Sequence, residues 1–266
     1  MARARALSNG ADDGEKGGAT TQVVAPLLTP MLLAETAVAA IVELLRENVG
    51  TDFSHGVIAV GAIPSAGHDF NLVKLSAGGL LAEGDERRLI YLVPLGADAS
   101  TTLADDLLTR LTGAGLEAIA SAPRRSADDL NDAVHEAGIL LELLAEPYAG
   151  LRAHEPTYRL LLGVLLHDPE EVAQLRTSTI APLETYDLSH DTDLVATLET
   201  FLTNHGSTTD TAEVMGLHRH TVGYRLARVQ EVSGLSPYES EGRERLSLGL
   251  KAHRILLADS RCRGRP

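Results

Sequence analysis

Tryptophan is absent from this chain of 266 residues, and aromatic residues make up only 3% of it, so its core must be built from Leu, Val, Ile and Ala. Cysteine occurs once, as Cys262. A lone thiol cannot staple a fold, which argues against a secreted disulfide scaffold and for the reducing cytoplasm. No apolar run reaches the roughly 18 residues that a membrane-spanning helix needs, so no membrane partner is expected. The opening "MARARALSNGADDGEKGGATTQ" is positively charged but has no apolar stretch behind it to make a secretion signal. Residues 1–28 read as a disordered lead. Lysine is scarce, with only Lys16, Lys74 and Lys251, and the remaining positive charge is Arg.

Catalytic signatures are missing as well. The chain contains no P-loop, no Gly-x-Ser-x-Gly elbow, no His-Glu-x-x-His and no Rossmann fingerprint. No catalytic residue, cofactor or metal is assigned. "SHDTD" (189–193) and "GHD" (67–69) look superficially like metal sites. In the first, Ser189 or Asp191 is more simply the cap of the helix that follows.

What the chain does have is an uneven charge distribution. Its formal net charge is −14, made of −19 over residues 1–214 and +5 over residues 215–266. An acidic body with one basic end keeps most of the molecule off polyanions while letting that end meet phosphates.

The pattern along the chain divides into a lead, a helix, an α/β region and a helical end. Residues 29–50 contain a helix from about Pro30 to Asn48, with Leu33, Ala37, Ile41, Leu44 and Leu45 on one stripe. Residues 51–150 hold four short Val/Ile/Leu/Ala-rich runs, at 56–63, 71–77, 87–95 and 116–122, each bounded by Gly or Pro. Between the last two, "ASTTLADDLLTRLTGAG" is helical, with Ser100 as its cap. A second helix opens near Ser126, with Leu130, Val134, Ala137, Leu141 and Leu144 facing inward. Residues 151–190 form a helical connector that breaks near Asp168 and Pro182. The fold class is α+β: a central α/β domain followed by an all-α domain at 191–259 and a basic tail at 260–266.

The all-α end carries the most specific pattern. "DTDLVATLETFLTNHG" puts Leu194, Leu198, Phe201 and Leu202 on one face; a short helix "TTDTAEVMG" follows; then "LHRHTVGYRLARVQEVSG" buries Val222, Leu226 and Val229. Ala212, Gly216 and Leu217 supply the small residue, the left-handed turn and the apolar lock that a helix-turn-helix needs. The recognition helix spans about Arg219–Ser233. Its outward face carries His220, Gly223, Tyr224 and Arg228, flanked by Arg219, Thr221 and Arg225. Arg219 and His220, at the N-terminal end, are placed for base edges, and Arg228 for phosphates. For Arg225, a phosphate contact and a structural ion pair are equally open. His218 and His220 stand two apart, which on a helix points them about 200° from each other, with no third ligand near.

"TLETFLTNHGSTTDTAEVMGLHRHTVGYRLARVQEVSGL" strongly resembles the C-terminal helix-turn-helix of PucR/CdaR-type bacterial transcription regulators, through Leu217, His218, Thr221, Val222, Tyr224, Arg225, Leu226, Gly234 and Leu235. Relatives usually carry Asn where this chain has His220, which implies a different base preference. The resemblance also implies that residues 51–150 are a degenerate GGDEF-like domain serving regulation or dimerisation. Its nearest motif, "AEGDERR", has Glu83 in place of a glycine and Arg87 in place of the Phe, so nucleotide turnover is not expected.

The expected function is sequence-specific binding of double-stranded operator or promoter DNA by a cytoplasmic, non-enzymatic homodimer or higher homo-oligomer, with a small-molecule effector as an open partner. A two-fold dimer would read half-sites about 34 Å apart. The competing readings are a small-molecule sensor or interaction module with a vestigial helix-turn-helix, and a nucleotide-processing enzyme in the middle domain.

Overall fold

The computed structural model describes residues 53–65, 80–84, 88–126, 129–145 and 155–263. The helix expected at 30–48, the strand expected at 71–77 and the "GHD" stretch lie outside the described residues.

Four strands form one antiparallel sheet: β1 (Val57–Pro64), β2 (Leu80–Gly84), β3 (Leu89–Pro94) and β4 (Leu116–Ala120), in the order β2-β3-β1-β4. Three of the four expected runs are therefore strands. β2 and β3 pair through Gly84 and Leu89, and residues 85–87 of the "AEGDERR" stretch lie outside the described residues.

Alternation along the strands sorts their side chains between two cores. Ile58, Val60 and Ala62 of β1, with Tyr91 and Val93 of β3, pack on helix α1 (Thr102–Gly113) through Leu107 and Leu111. Val57 and Ala59, with Ile90, Leu92 and Ile119, pack on helix α2 (Leu130–Leu144). Gly61 belongs to the second face, and a Cβ there would come within 2.8 Å of Leu141, so its lack of a side chain lets α2 lie close against β1. All five residues expected to face inward on α2 are buried. Thr101, not Ser100, stands at the N-cap of α1, because Asp98 Oδ1 accepts the Ser100 N–H at 3.0 Å and draws that residue into the preceding turn.

The connector consists of α3 (Pro156–His167), α4 (Pro169–Thr179) and α5 (Ala181–His190). Pro156 and Pro169 occupy first helical positions, where the missing N–H is harmless. Asp168 separates the first two helices and accepts the Glu170 and Glu171 N–H groups. Then come α6 (Leu194–Thr203), α7 (Thr208–Met215), α8 (Arg219–Ser233) and α9 (Ser240–Arg263).

The α9 helix crosses from one core to another. Leu246 and Leu250 join Leu183, Leu194, Leu198 and Val229 in the C-terminal core, whereas Ala252, Ile255 and Ala258 join α2, α3 and the sheet. Gly249 marks the crossing: a Cβ there would sit 1.9 Å from Thr179 Oγ1, so α4 and α9 touch backbone to side chain. Residues 260–263 of the expected basic tail are helical, since α9 continues to Arg263, and Cys262 packs against the core beside Gly138.

Candidate nucleic-acid interface

Three helices of the C-terminal region meet around Phe201, Ala212, Val222 and Leu226, with Leu217 packed against them. Between α7 and α8 the chain turns through Gly216 at φ +64°, where a left-handed conformation favours glycine. The Leu217 N–H reaches back to the Ala212 carbonyl at 2.9 Å and the Gly216 N–H to Glu213 at 3.2 Å, which closes the end of α7 in a Schellman motif. Ser207 caps the start of α7 by accepting the Asp210 N–H. Gly234, at φ +72°, ends α8. The expected spine is in place: Val222, Leu226 and Val229 are all fully buried.

Opposite that spine, Arg219, His220, Thr221 and Tyr224 are exposed. A Cβ on Gly223 would meet nothing within 4 Å, so the fold of the single chain does not require a glycine there. Small size at that point leaves a shallow on the outward face of α8.

The two histidines are not arranged as helical spacing implies. His218 has extended backbone angles (φ −77°, ψ 142°) and stands at the N-cap, so the 100° step between residues does not apply to it. Its Nδ1 accepts the His220 N–H at 3.3 Å, and the two rings lie 5.0 Å apart, 28° from parallel. This cap satisfies one of the orphan N–H groups at the start of α8. Among the described residues no group of three or more His, Cys, Asp or Glu side chains could hold a metal ion.

Arg225, expected on a flank of α8, and Arg228, expected on its outward face, both have protein partners. Arg225 is an ion-pair residue: Nη2 lies 3.2 Å from Asp193 Oδ2 and Nη1 donates to Thr197 Oγ1 at 3.2 Å, joining α8 to the start of α6. Arg228, expected to reach a phosphate, pairs with Glu231 one turn on and donates from Nη2 to the Tyr224 hydroxyl at 3.0 Å. Its guanidinium carbon lies 5.6 Å from the Tyr224 ring centroid and 5.8 Å from that of Tyr186 on α5. The Tyr224 hydrogen bond and the Glu231 charge raise its pKa above the ordinary arginine value.

The cap expected from Ser189 or Asp191 comes from Asp187. Ser189 lies within α5, and Asp191 ends that helix in a left-handed conformation at φ 52°. Asp187 Oδ1 accepts the Leu194 N–H at 2.7 Å and Oδ2 the Val195 N–H at 3.0 Å, so the last turn of α5 caps the first turn of α6.

A cleft of about 520 Å³ lies where α3, α6 and α9 meet, between Tyr158, Leu202 and Leu250. Its cations are already balanced, Lys251 by Glu155 at 3.3 Å and Arg254 by Glu199. No helix among the described residues is long and apolar enough to cross a membrane.

Three partners here were missed in the sequence: Asp193, Thr197 and Tyr186. Thr197 gave a signal, because it is a hydroxyl at helical spacing among the apolar positions of α6 and is fully buried. Tyr186 gave none, since its contact with Arg228 is purely tertiary.

Comparison with known proteins finds a match to the PucR C-terminal helix-turn-helix domain over residues 194–252, which runs from the first residue of α6 into the middle of α9. The chain is 34% identical over 152 residues to a Thermomonospora curvata protein described as "Uncharacterized protein in pkwA 5'region", a match covering 54% of this chain and 78% of that protein. It also resembles the crystal structure of a regulator of polyketide synthase expression from Bifidobacterium adolescentis, with 24% identity, a TM-score of 0.40, and coverage of 90% of this chain and 98% of that one.

Proposed function

The chain belongs to the family of proteins carrying the PucR C-terminal helix-turn-helix domain, and we propose that it regulates transcription by sequence-specific binding of double-stranded DNA, with α8 in the major groove. The observation that carries this reading is the division of α8 into a fully buried spine and an exposed N-terminal turn bearing Arg219, His220 and Thr221. That turn is where a recognition helix reaches base edges. Arg219 supplies a fork for guanine, and His220 a donor or an acceptor according to its tautomer. Thr221 and Tyr224 present hydroxyls to phosphates or bases, and Gly223 admits close approach. Arg225 acts by fixing the tilt of α8 on α6 rather than by touching DNA.

Two copies would bind a two-fold operator, with the sheet and α1–α2 serving dimerisation or regulation. The α/β region carries no proposed catalytic role, and the protein works in the cytoplasm.

The test is binding of the full chain to duplexes selected from a random-sequence pool, followed across a salt series. Affinity should fall steeply as salt rises, because each phosphate contact releases condensed counterions. A flat salt response, or failure to enrich any duplex, overturns the reading.

A further inference from the structure

Tyr224 projects from the outward face of α8 with 64% of its surface exposed, yet its hydroxyl is held, because its oxygen accepts the Arg228 Nη2 hydrogen bond. A phenol oxygen that accepts one bond still has its own proton to donate. The holder is itself held. Arg228 is drawn to Glu231 through Nη1, and its guanidinium lies within cation–π reach of both Tyr224 and Tyr186. Tyr186 is outside the matched domain, on connector helix α5, where its ring packs against the C-terminal core and stacks on His190 at 3.9 Å.

The charge arrangement decides which group meets DNA. Glu231 stands against Arg228 and offsets its charge, so a phosphate on that guanidinium would also face a carboxylate. The Tyr224 hydroxyl, which accepts from Arg228, keeps its own proton to donate. Phosphate oxygens only accept. We propose that Tyr186 is a positioning residue for DNA recognition: it holds Arg228, Arg228 holds the Tyr224 hydroxyl, and Tyr224 donates its proton to a phosphate of the DNA backbone. The inference rests on the DNA-binding reading above. It adds a specific role for the connector, whose last helix sets the pose of a side chain on the recognition helix.

The experiment uses the full chain and a duplex enriched by the wild-type protein from a random pool, with affinity read by fluorescence anisotropy. Tyr224→Phe should weaken binding several-fold. Tyr186→Leu, which keeps apolar bulk but removes the aromatic face, should weaken it about two- to five-fold, the scale of one exposed cation–π contact. Tyr186→Phe should bind as the wild type does. The double variant Tyr186→Leu/Tyr224→Phe should be no weaker than Tyr224→Phe alone, because both act on one hydroxyl. Unchanged binding by Tyr186→Leu, a loss in Tyr186→Phe equal to that in Tyr186→Leu, or losses that multiply in the double variant each overturn the proposal. If the wild type enriches no duplex, the DNA-binding reading falls and this inference with it; if it does, these variants judge the inference alone.

Discussion

Arg225 and Asp193 face each other across 3.2 Å, one on α8 and one at the start of α6, with the Thr197 hydroxyl bonded to the same guanidinium. The side chain of Arg225 is only 19% exposed, so its charge serves the joint between two helices.

Arg225→Ala separates those two roles. Loss of the joint should lower stability by about 1 kcal/mol, a modest value because Asp193 remains largely in water. Affinity for DNA should fall while the slope of log affinity against log salt stays as in the wild type. A slope reduced by about one would instead identify Arg225 as a phosphate contact.

Gly223→Ala should set stability against binding. The site is open in the single chain, so Ala brings its higher helix propensity, about 0.5–1 kcal/mol, without a clash. On DNA the added methyl group occupies the shallow beside Tyr224. The expected result is a higher midpoint of thermal unfolding together with weaker binding. Gly216→Ala has open space too, but its φ of +64° makes the substitution destabilising by roughly 1–2 kcal/mol.

The histidine pair should divide by function. His218 acts through its cap, so His218→Asn should preserve stability while His218→Ala loses about 0.5–2 kcal/mol, measured by denaturant unfolding. His220 is exposed and its side chain is not the cap, so His220→Ala should leave stability within about 0.5 kcal/mol and change which sequences are selected from a random pool. Identical selected sequences would remove His220 from base recognition.

Asp259 links stability to acid pH. Burial acts to raise its pKa, but hydrogen bonds from His135, at 2.6 Å, and from Arg263 outweigh it and hold the carboxyl below the ordinary value. A depressed carboxyl pKa contributes stability that is complete above the unfolded value of about 3.9 and is lost as pH falls through the folded value. Asp259→Asn should therefore be less stable than the wild type at neutral pH by about 1–3 kcal/mol. The difference should shrink below about pH 4, as measured by urea unfolding across a pH series.

The C-terminal helices were legible because their sequence is punctuated: Asp168, Ser207, Gly216 and Gly234 stand at helix boundaries, and the apolar stripe of α8 has clean spacing. The sheet was legible for the same reason, through short β-branched runs between Gly and Pro. β2 escaped because "LLAEG" has neither alternation nor β-branched residues, and its pairing with β3 comes from the neighbouring strand. The cap from Asp187 escaped because it reaches seven residues along the chain to Leu194, across a helix end. The histidine geometry escaped because His218 is a cap with extended backbone and stands outside the helical repeat that begins at Arg219. The partners of Arg228 lie on two helices: Tyr224 and Glu231 are close in sequence, whereas Tyr186 on α5 is not.

The route of α9 has a consequence for how this protein can be divided. Family resemblance ends at residue 252, within α9, just where its side chains leave the C-terminal core for the one shared with α2 and the sheet. A piece cut at that boundary would keep α8 but lose Ile255 and Ala258, and would strip the α/β layer of part of its wall. The module is therefore not a detachable cassette: grafting it onto another protein, or exchanging it for a relative's, would carry along a length of helix shaped to fit its original host.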